Sequence, residues 1–168
     1  KALTDYIHSR GLKAGIYTSP GPLTCAKYTG SYEHEAQDAR QFADWGFDFL
    51  KYDWCTYGRV AGKDPDLAAL QKPYRQMGEL LRRQDRDIVF NLCQYGKGNV
   101  WEWGKQVGGH SWRTAGDLGL KYGTIATVQA STVMDCRNQP VVGTSAGVTI
   151  NTTSGTTPAA RGPNTRRN

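Results

Sequence analysis

No run of about 18 apolar residues occurs in this chain, so nothing in it reads as a membrane-spanning helix. HExxH, GxSxG and P-loop motifs are absent, which removes zinc proteases, typical serine hydrolases and NTPases as first readings. The cysteines Cys25, Cys55, Cys93 and Cys136 show no CxxC spacing, which argues against zinc. Sequence alone allows three full cysteine pairings and does not choose between them. His8, His34 and His110 are isolated and read as structural or solvated. The opening, Lys1 to Ile7, is amphipathic rather than apolar and does not resemble a signal peptide. It reads as the middle of a helix, with Leu3, Tyr6 and Ile7 on one face and Gly11 as the stop.

Acidic residues are scarce only toward the end. The chain carries 21 basic and 15 acidic side chains, for a net charge of +6. Past residue 120, Lys121, Arg137, Arg161, Arg166 and Arg167 face Asp135 alone. A nucleic-acid binder would place such an excess on a folded face with aromatic neighbours. Here it lies in a Thr/Ser/Gly-rich stretch, so no nucleic-acid partner is expected.

What is present is an alternation of short apolar runs and helical periods. Strands are expected over Leu12–Tyr17, Phe47–Cys55, Ile88–Cys93 and around His110–Thr114. Ser31 is expected to cap a helix carrying Ala36, Ala39, Phe42 and Ala43 on one stripe and ending at Gly46. Leu67, Leu70, Tyr74, Met77 and Leu81 predict a second helix, capped by Asp64 before Pro65, with Pro73 expected to kink it or cost stability. A short helix is expected near Val100–Val107. This βαβα order implies parallel strands joined by right-handed crossovers. No Gly-rich phosphate loop follows the first strand, which counts against a nucleotide-binding open sheet. Four such units make about half of a (β/α)₈ barrel of ~250 residues. Val141–Ile150 is a strand candidate, Asn151-Thr152-Thr153 matches a glycosylation sequon, and the segment from Asn151 is expected to be disordered.

In the Phe47–Cys55 strand, Lys51, Asp53 and Cys55 share one face, while Leu50, Tyr52 and Trp54 take the other. Lys51 then favours the ionised form of Asp53. Polar residues also end the other strands: Tyr17 the first, Gln94 and Tyr95 the third, Arg113 and Asp117 the fourth. Carboxylates at separate strand ends suit sugar chemistry, in which two acids flank a glycosidic bond.

The motifs Gly11-Leu12-Lys13-Ala14-Gly15-Ile16-Tyr17, Thr24-Cys25-Ala26, Phe42-Ala43-Asp44-Trp45-Gly46 and Leu50-Lys51-Tyr52-Asp53-Trp54-Cys55 closely resemble the α-galactosidases (melibiases) of glycoside hydrolase family 27. Leu92-Cys93-Gln94-Tyr95-Gly96 and Trp112-Arg113-Thr114-Ala115-Gly116-Asp117 continue the match in order. The resemblance covers residues 1–125 and implies part of a (β/α)₈ TIM barrel that hydrolyses terminal α-galactosides with retention. It makes Asp53 the nucleophile and Asp117 the general acid/base, a mechanism that requires no metal or organic cofactor. Tyr17, Lys51, Cys55 and Arg113 match substrate-binding positions, and Gln94 the position that reads the 2-substituent. Many family members carry Glu there, which leaves β-L-arabinopyranosidase and α-N-acetylgalactosaminidase as related specificities. Cys25 and Cys55 match an active-site disulfide, which implies a secreted or periplasmic setting.

Family barrels also carry two earlier strands with an Asp-Asp pair, a Trp-Asn-Asp-Pro-Asp loop and a β-sandwich domain, which this chain lacks. The chain thus reads as an incomplete barrel with little activity of its own. A sugar-binding fragment without turnover is the rival reading. Residues 126–168 are left unassigned, as a tail expected to be poorly ordered.

Overall fold

A computed structural model describes residues 1–117, together with the backbone of four two-residue strands between 133 and 148. The main body contains helix α1 (Ala2–Ser9), strand β1 (Gly15–Thr18), helix α2 (Glu35–Trp45) and strand β2 (Phe49–Asp53). A 3₁₀ turn (Cys55–Tyr57), helix α3 (Gly58–Ala61), helix α4 (Leu67–Leu81) and strand β3 (Val89–Cys93) follow. Helix α5 (Val100–Trp103), a 3₁₀ turn (Gly104–Val107) and strand β4 (Ser111–Trp112) complete it. The four strands form one parallel sheet in the order β1-β2-β3-β4. Strand order follows chain order with helices between, so this is an incomplete (β/α)₈ barrel whose described edges are β1 and β4.

Alternation along the strands builds the core. Leu50, Tyr52, Phe90 and Leu92 are buried against Ala39 and Phe42 of α2 and Leu70, Tyr74, Met77 and Leu81 of α4. Tyr52 and Tyr74 meet edge to face at 6.0 Å, and Trp54 stacks on Tyr74 at 6.3 Å. Fully burying a large side chain contributes about 1.5–3 kcal/mol, so this layer holds the helices to the sheet. α4 runs unbroken through Pro73, which is itself buried. Among the described residues, no helix is long and apolar enough to cross a membrane.

Several expected boundaries move. The cap of α2 is His34, without a side-chain hydrogen bond, because the Ser31 hydroxyl pairs with Thr18 Oγ1 at 3.2 Å instead. The cap of α4 is Asp66 rather than Asp64, and it accepts from the Ala69 N–H at 2.8 Å. In α1 the buried residue is Thr4, whose hydroxyl donates to the Trp45 carbonyl, while Leu3 and Tyr6 are exposed. Of the expected apolar face only Ile7 is half-buried among the described residues. Within the expected Val141–Ile150 strand and its flank, Val133–Met134 pairs with Pro140–Val141, and Gly143–Thr144 with Gly147–Val148, both antiparallel. The expectations for residues from Asn151 onward, including the sequon, lie outside the described residues.

At the amino end of the sheet, Asp48 gathers four partners. Oδ2 accepts from the Ala14 N–H at 2.9 Å and lies 2.7 Å from His8 Nε2. Oδ1 accepts from Arg86 Nη2 at 2.7 Å, with Lys13 Nζ at 3.6 Å. One carboxylate therefore ties α1, the entry to β1 and the α4–β3 loop together.

Candidate active site

The opposite, carboxyl ends of the strands carry the expected site residues. Register places Tyr17 beside Lys51, and Asp53 beside Cys93. Asp53 ends β2 and is only 5% exposed. Its Oδ2 lies 3.9 Å from Lys51 Nζ, and its Oδ1 accepts from the Tyr95 hydroxyl at 2.6 Å. The chain then leaves the strand at once, since Cys55 has φ +29° and opens the 3₁₀ turn. Cys55 therefore does not extend the strand face with Lys51 and Asp53, as the alternation had implied. It bonds Cys25, with the two Cα atoms 5.0 Å apart.

That disulfide forms one wall of the site. The Tyr17 hydroxyl is 3.0 Å from Cys55 Sγ, and the Tyr95 hydroxyl is 3.8 Å from Cys25 Sγ. Lys51 Nζ sits 5.5 Å from the centre of the Tyr17 ring, a cation–π distance. Both sulfurs and an Asp53 oxygen lie within 4.8 Å of one another. Such a spacing would suit a metal ion if the sulfurs were free, but bonded to each other they offer no thiolate.

The groups around Asp53 keep their protons. Burial, then the negative charge of Asp53, raises the Tyr17 hydroxyl above its ordinary pKa. Burial and the same carboxylate push the Cys93 thiol up to about 11. Each is thus a neutral group beside the carboxylate at neutral pH.

Arg113 brings the second carboxylate in. Its Nη1 donates to Asp117 Oδ1 at 2.6 Å and lies 3.9 Å from Cys93 Sγ. The Arg113 hydrogen bond, then its charge, lowers the Asp117 carboxyl below the ordinary range. Asp117 is largely exposed, so the described arrangement favours its ionised, base form. An acid role requires substrate to loosen that pairing. Gln94 is fully buried; its Nε2 donates to the Lys97 carbonyl at 2.7 Å, and its Oε1 has no partner among the described residues.

The strand ends thus bring Tyr17, Lys51, Asp53, Cys55 and the Arg113–Asp117 pair together, with Gln94 beneath the surface. Sequence reasoning named Tyr95 only as a strand-end residue, and it overlooked Cys93 beside the carboxylate. The register of β2 and β3 was the signal for Cys93. A cleft of about 440 Å³, lined by Glu33, His34, Glu35, Gln76, Glu79 and Arg83 among others, contains none of these residues.

Known proteins match this chain along the same elements. The sequence family described as Alpha galactosidase A matches residues 1–148. The α-galactosidase A of Cellvibrio japonicus is 43% identical over 118 residues, covering 70% of this chain and 27% of that protein. The α-galactosidase of Coffea arabica is 45% identical over 119 residues, covering 70% of this chain and 29% of that one. Among solved structures, the α-galactosidase of Saccharomyces cerevisiae with raffinose superposes with a TM-score of 0.65 at 30% identity. That match covers 72% of this chain and 26% of the yeast protein. The chain therefore spans less than a third of the length of each of these three relatives. A match running through all four strands and both carboxylate-bearing strand ends, rather than one short motif, places this chain in the α-galactosidase A (melibiase) family, glycoside hydrolase family 27.

Proposed function

We propose that the whole protein is a retaining glycoside hydrolase that removes terminal α-linked galactose. The observation that carries this reading is Asp53: a buried carboxylate at a strand end, held by a tyrosine hydroxyl on one oxygen with a lysine near the other. In the first step Asp53 attacks the anomeric carbon while Asp117 protonates the departing oxygen. In the second, Asp117 takes a proton from water, which releases the sugar and frees Asp53. Lys51, Tyr17 and Arg113 line the sugar's path, Gln94 bears on the substituent at C2, and the Cys25–Cys55 bond stiffens the wall. The disulfide supports work in an oxidising setting, secreted or periplasmic. Residues 1–125 supply the barrel segment, and residues 126–168 stay unassigned, although the family match runs on to residue 148.

A relative bound to raffinose supports a galactoside of that kind as substrate. The test is a panel of nitrophenyl glycosides given to the whole protein, with the product anomer followed by NMR. α-Galactoside cleavage with α-galactose as first product is expected. Preference for a β-L-arabinopyranoside or an α-N-acetylgalactosaminide would reassign the sugar, and a β-galactose first product would refute retention. Binding of galactose without hydrolysis would favour a sugar-binding role.

A further inference from the structure

Directly after β3 the backbone passes through two residues with positive φ, Tyr95 at +65° and Gly96 at +82°. Gly96 suits the position, because a Cβ there would collide with the Thr114 carbonyl. A tyrosine does not, since its own Cβ crowds the backbone in that region. Residues held this way persist where the surrounding structure over-determines them, often at functional sites. At Tyr95 the turn returns the side chain across the strand ends to Asp53. The hydroxyl donates to Asp53 Oδ1 at 2.6 Å, a length typical of charge-assisted bonds. The Arg113 guanidinium lies over the ring at 5.2 Å. Burial, then the hydrogen bond and charge of Asp53, raises the phenol well above its ordinary pKa, so it stays a donor.

We propose that Tyr95 is a positioning residue for the nucleophile. It fixes Asp53 through Oδ1, leaves Oδ2 as the attacking oxygen, and stabilises the carboxylate as it departs from the sugar. This rests on the galactosidase reading above. The two chemical steps load the hydrogen bond oppositely. In the first, Oδ2 bonds to the anomeric carbon and the glycosidic C–O bond breaks. Its electron pair goes to the leaving oxygen, which takes the proton of Asp117. Asp53 loses its charge, and the bond from Tyr95 weakens. In the second, a water oxygen bonds to the anomeric carbon and the bond to Oδ2 breaks. The electron pair returns to Asp53, the water's proton goes to Asp117, and the bond from Tyr95 regains its strength. A donor that favours the free carboxylate over the ester therefore speeds the second step.

Tyr95→Phe in the whole protein removes one oxygen and keeps the ring under Arg113. With an activated aryl α-galactoside, kcat should fall about 10- to 100-fold, the worth of one charge-assisted hydrogen bond. KM should fall with it, and kcat/KM, which reports the first step, should change by less than about threefold. A burst of aryl alcohol should precede the steady state. Its amplitude counts folded sites, so loss of folded protein cannot imitate the result. An unchanged kcat, or a kcat/KM that falls in step with kcat and no burst, overturns the proposal. If the unsubstituted protein turns over no α-galactoside, the functional reading fails and this proposal with it. Turnover by that protein, unaffected by Tyr95→Phe, removes the proposal alone.

Discussion

Replacing Asp48 with Asn should uncouple the amino end of the sheet from its helices, with a loss that depends on pH. The side chain is 12% exposed, and its two oxygens meet the Ala14 N–H, His8, Arg86 and Lys13. Burial alone would raise this carboxyl. The hydrogen bonds from Ala14, His8 and Arg86, with the charge of Lys13, outweigh that and hold it well below its ordinary value of 3.8. Lys13 is mostly exposed and adds little. Asn keeps one acceptor but turns an N–H toward a donor and removes the charge, so the cost near neutral pH is about 2–4 kcal/mol. Because the folded-state pKa is depressed, the stabilisation is complete above the unfolded value and declines as pH falls below it. The decline should be about 1.4 kcal/mol per pH unit. Urea unfolding of the chain and Asp48→Asn, stepped from about pH 7 to about pH 2, measures the gap between them. It should be flat down to about pH 4 and then narrow. A gap below about 0.5 kcal/mol at neutral pH, or one that persists unchanged into acid, would refute the reasoning.

Two further outcomes follow from the site. Asp117→Asn should spare the first step for substrates with good leaving groups, which need little protonation, while natural galactosides lose it; equal losses on both, read by burst kinetics, would argue against an acid/base role. Cys25→Ser with Cys55→Ser opens a loop whose ends are 30 residues apart, which should lower stability by about 3–4 kcal/mol in the chain-entropy model, measured by urea unfolding; no loss would mean the bond adds nothing to the fold.

Elements with an unbroken apolar period were legible in the chain. Leu67, Leu70, Tyr74, Met77 and Leu81 mark α4, and four of these five line the core while Leu67 stays exposed. Strand order and parallel pairing also followed from the βα alternation. Element ends were less legible, because distant partners decide them. Ser31 would serve as a cap, but its hydroxyl is taken by Thr18 on β1. Asp64 before Pro65 was the expected cap of α4, yet it is Asp66 that accepts from the Ala69 N–H. At the site, i and i+2 spacing brought Lys51 near Asp53, though at 3.9 Å the pair is loose. Tyr95 was not legible as the closest partner of Asp53. Its aim depends on a left-handed backbone fixed by the approach of Gly96 to Thr114, a contact that no local pattern encodes. The roles of Asp53 and Asp117 came from family resemblance rather than from spacing.

In the proposed mechanism Asp53 bonds covalently to the sugar. A fluorinated α-galactosyl donor, whose second step stalls, would trap that species in the whole protein, and digestion with mass spectrometry would locate it. One sugar is expected on the peptide containing Asp53, with no label in Asp53→Asn and turnover lowered at least about a thousandfold in that variant. A sugar on a different carboxylate, or near-normal turnover by Asp53→Asn, would contradict it.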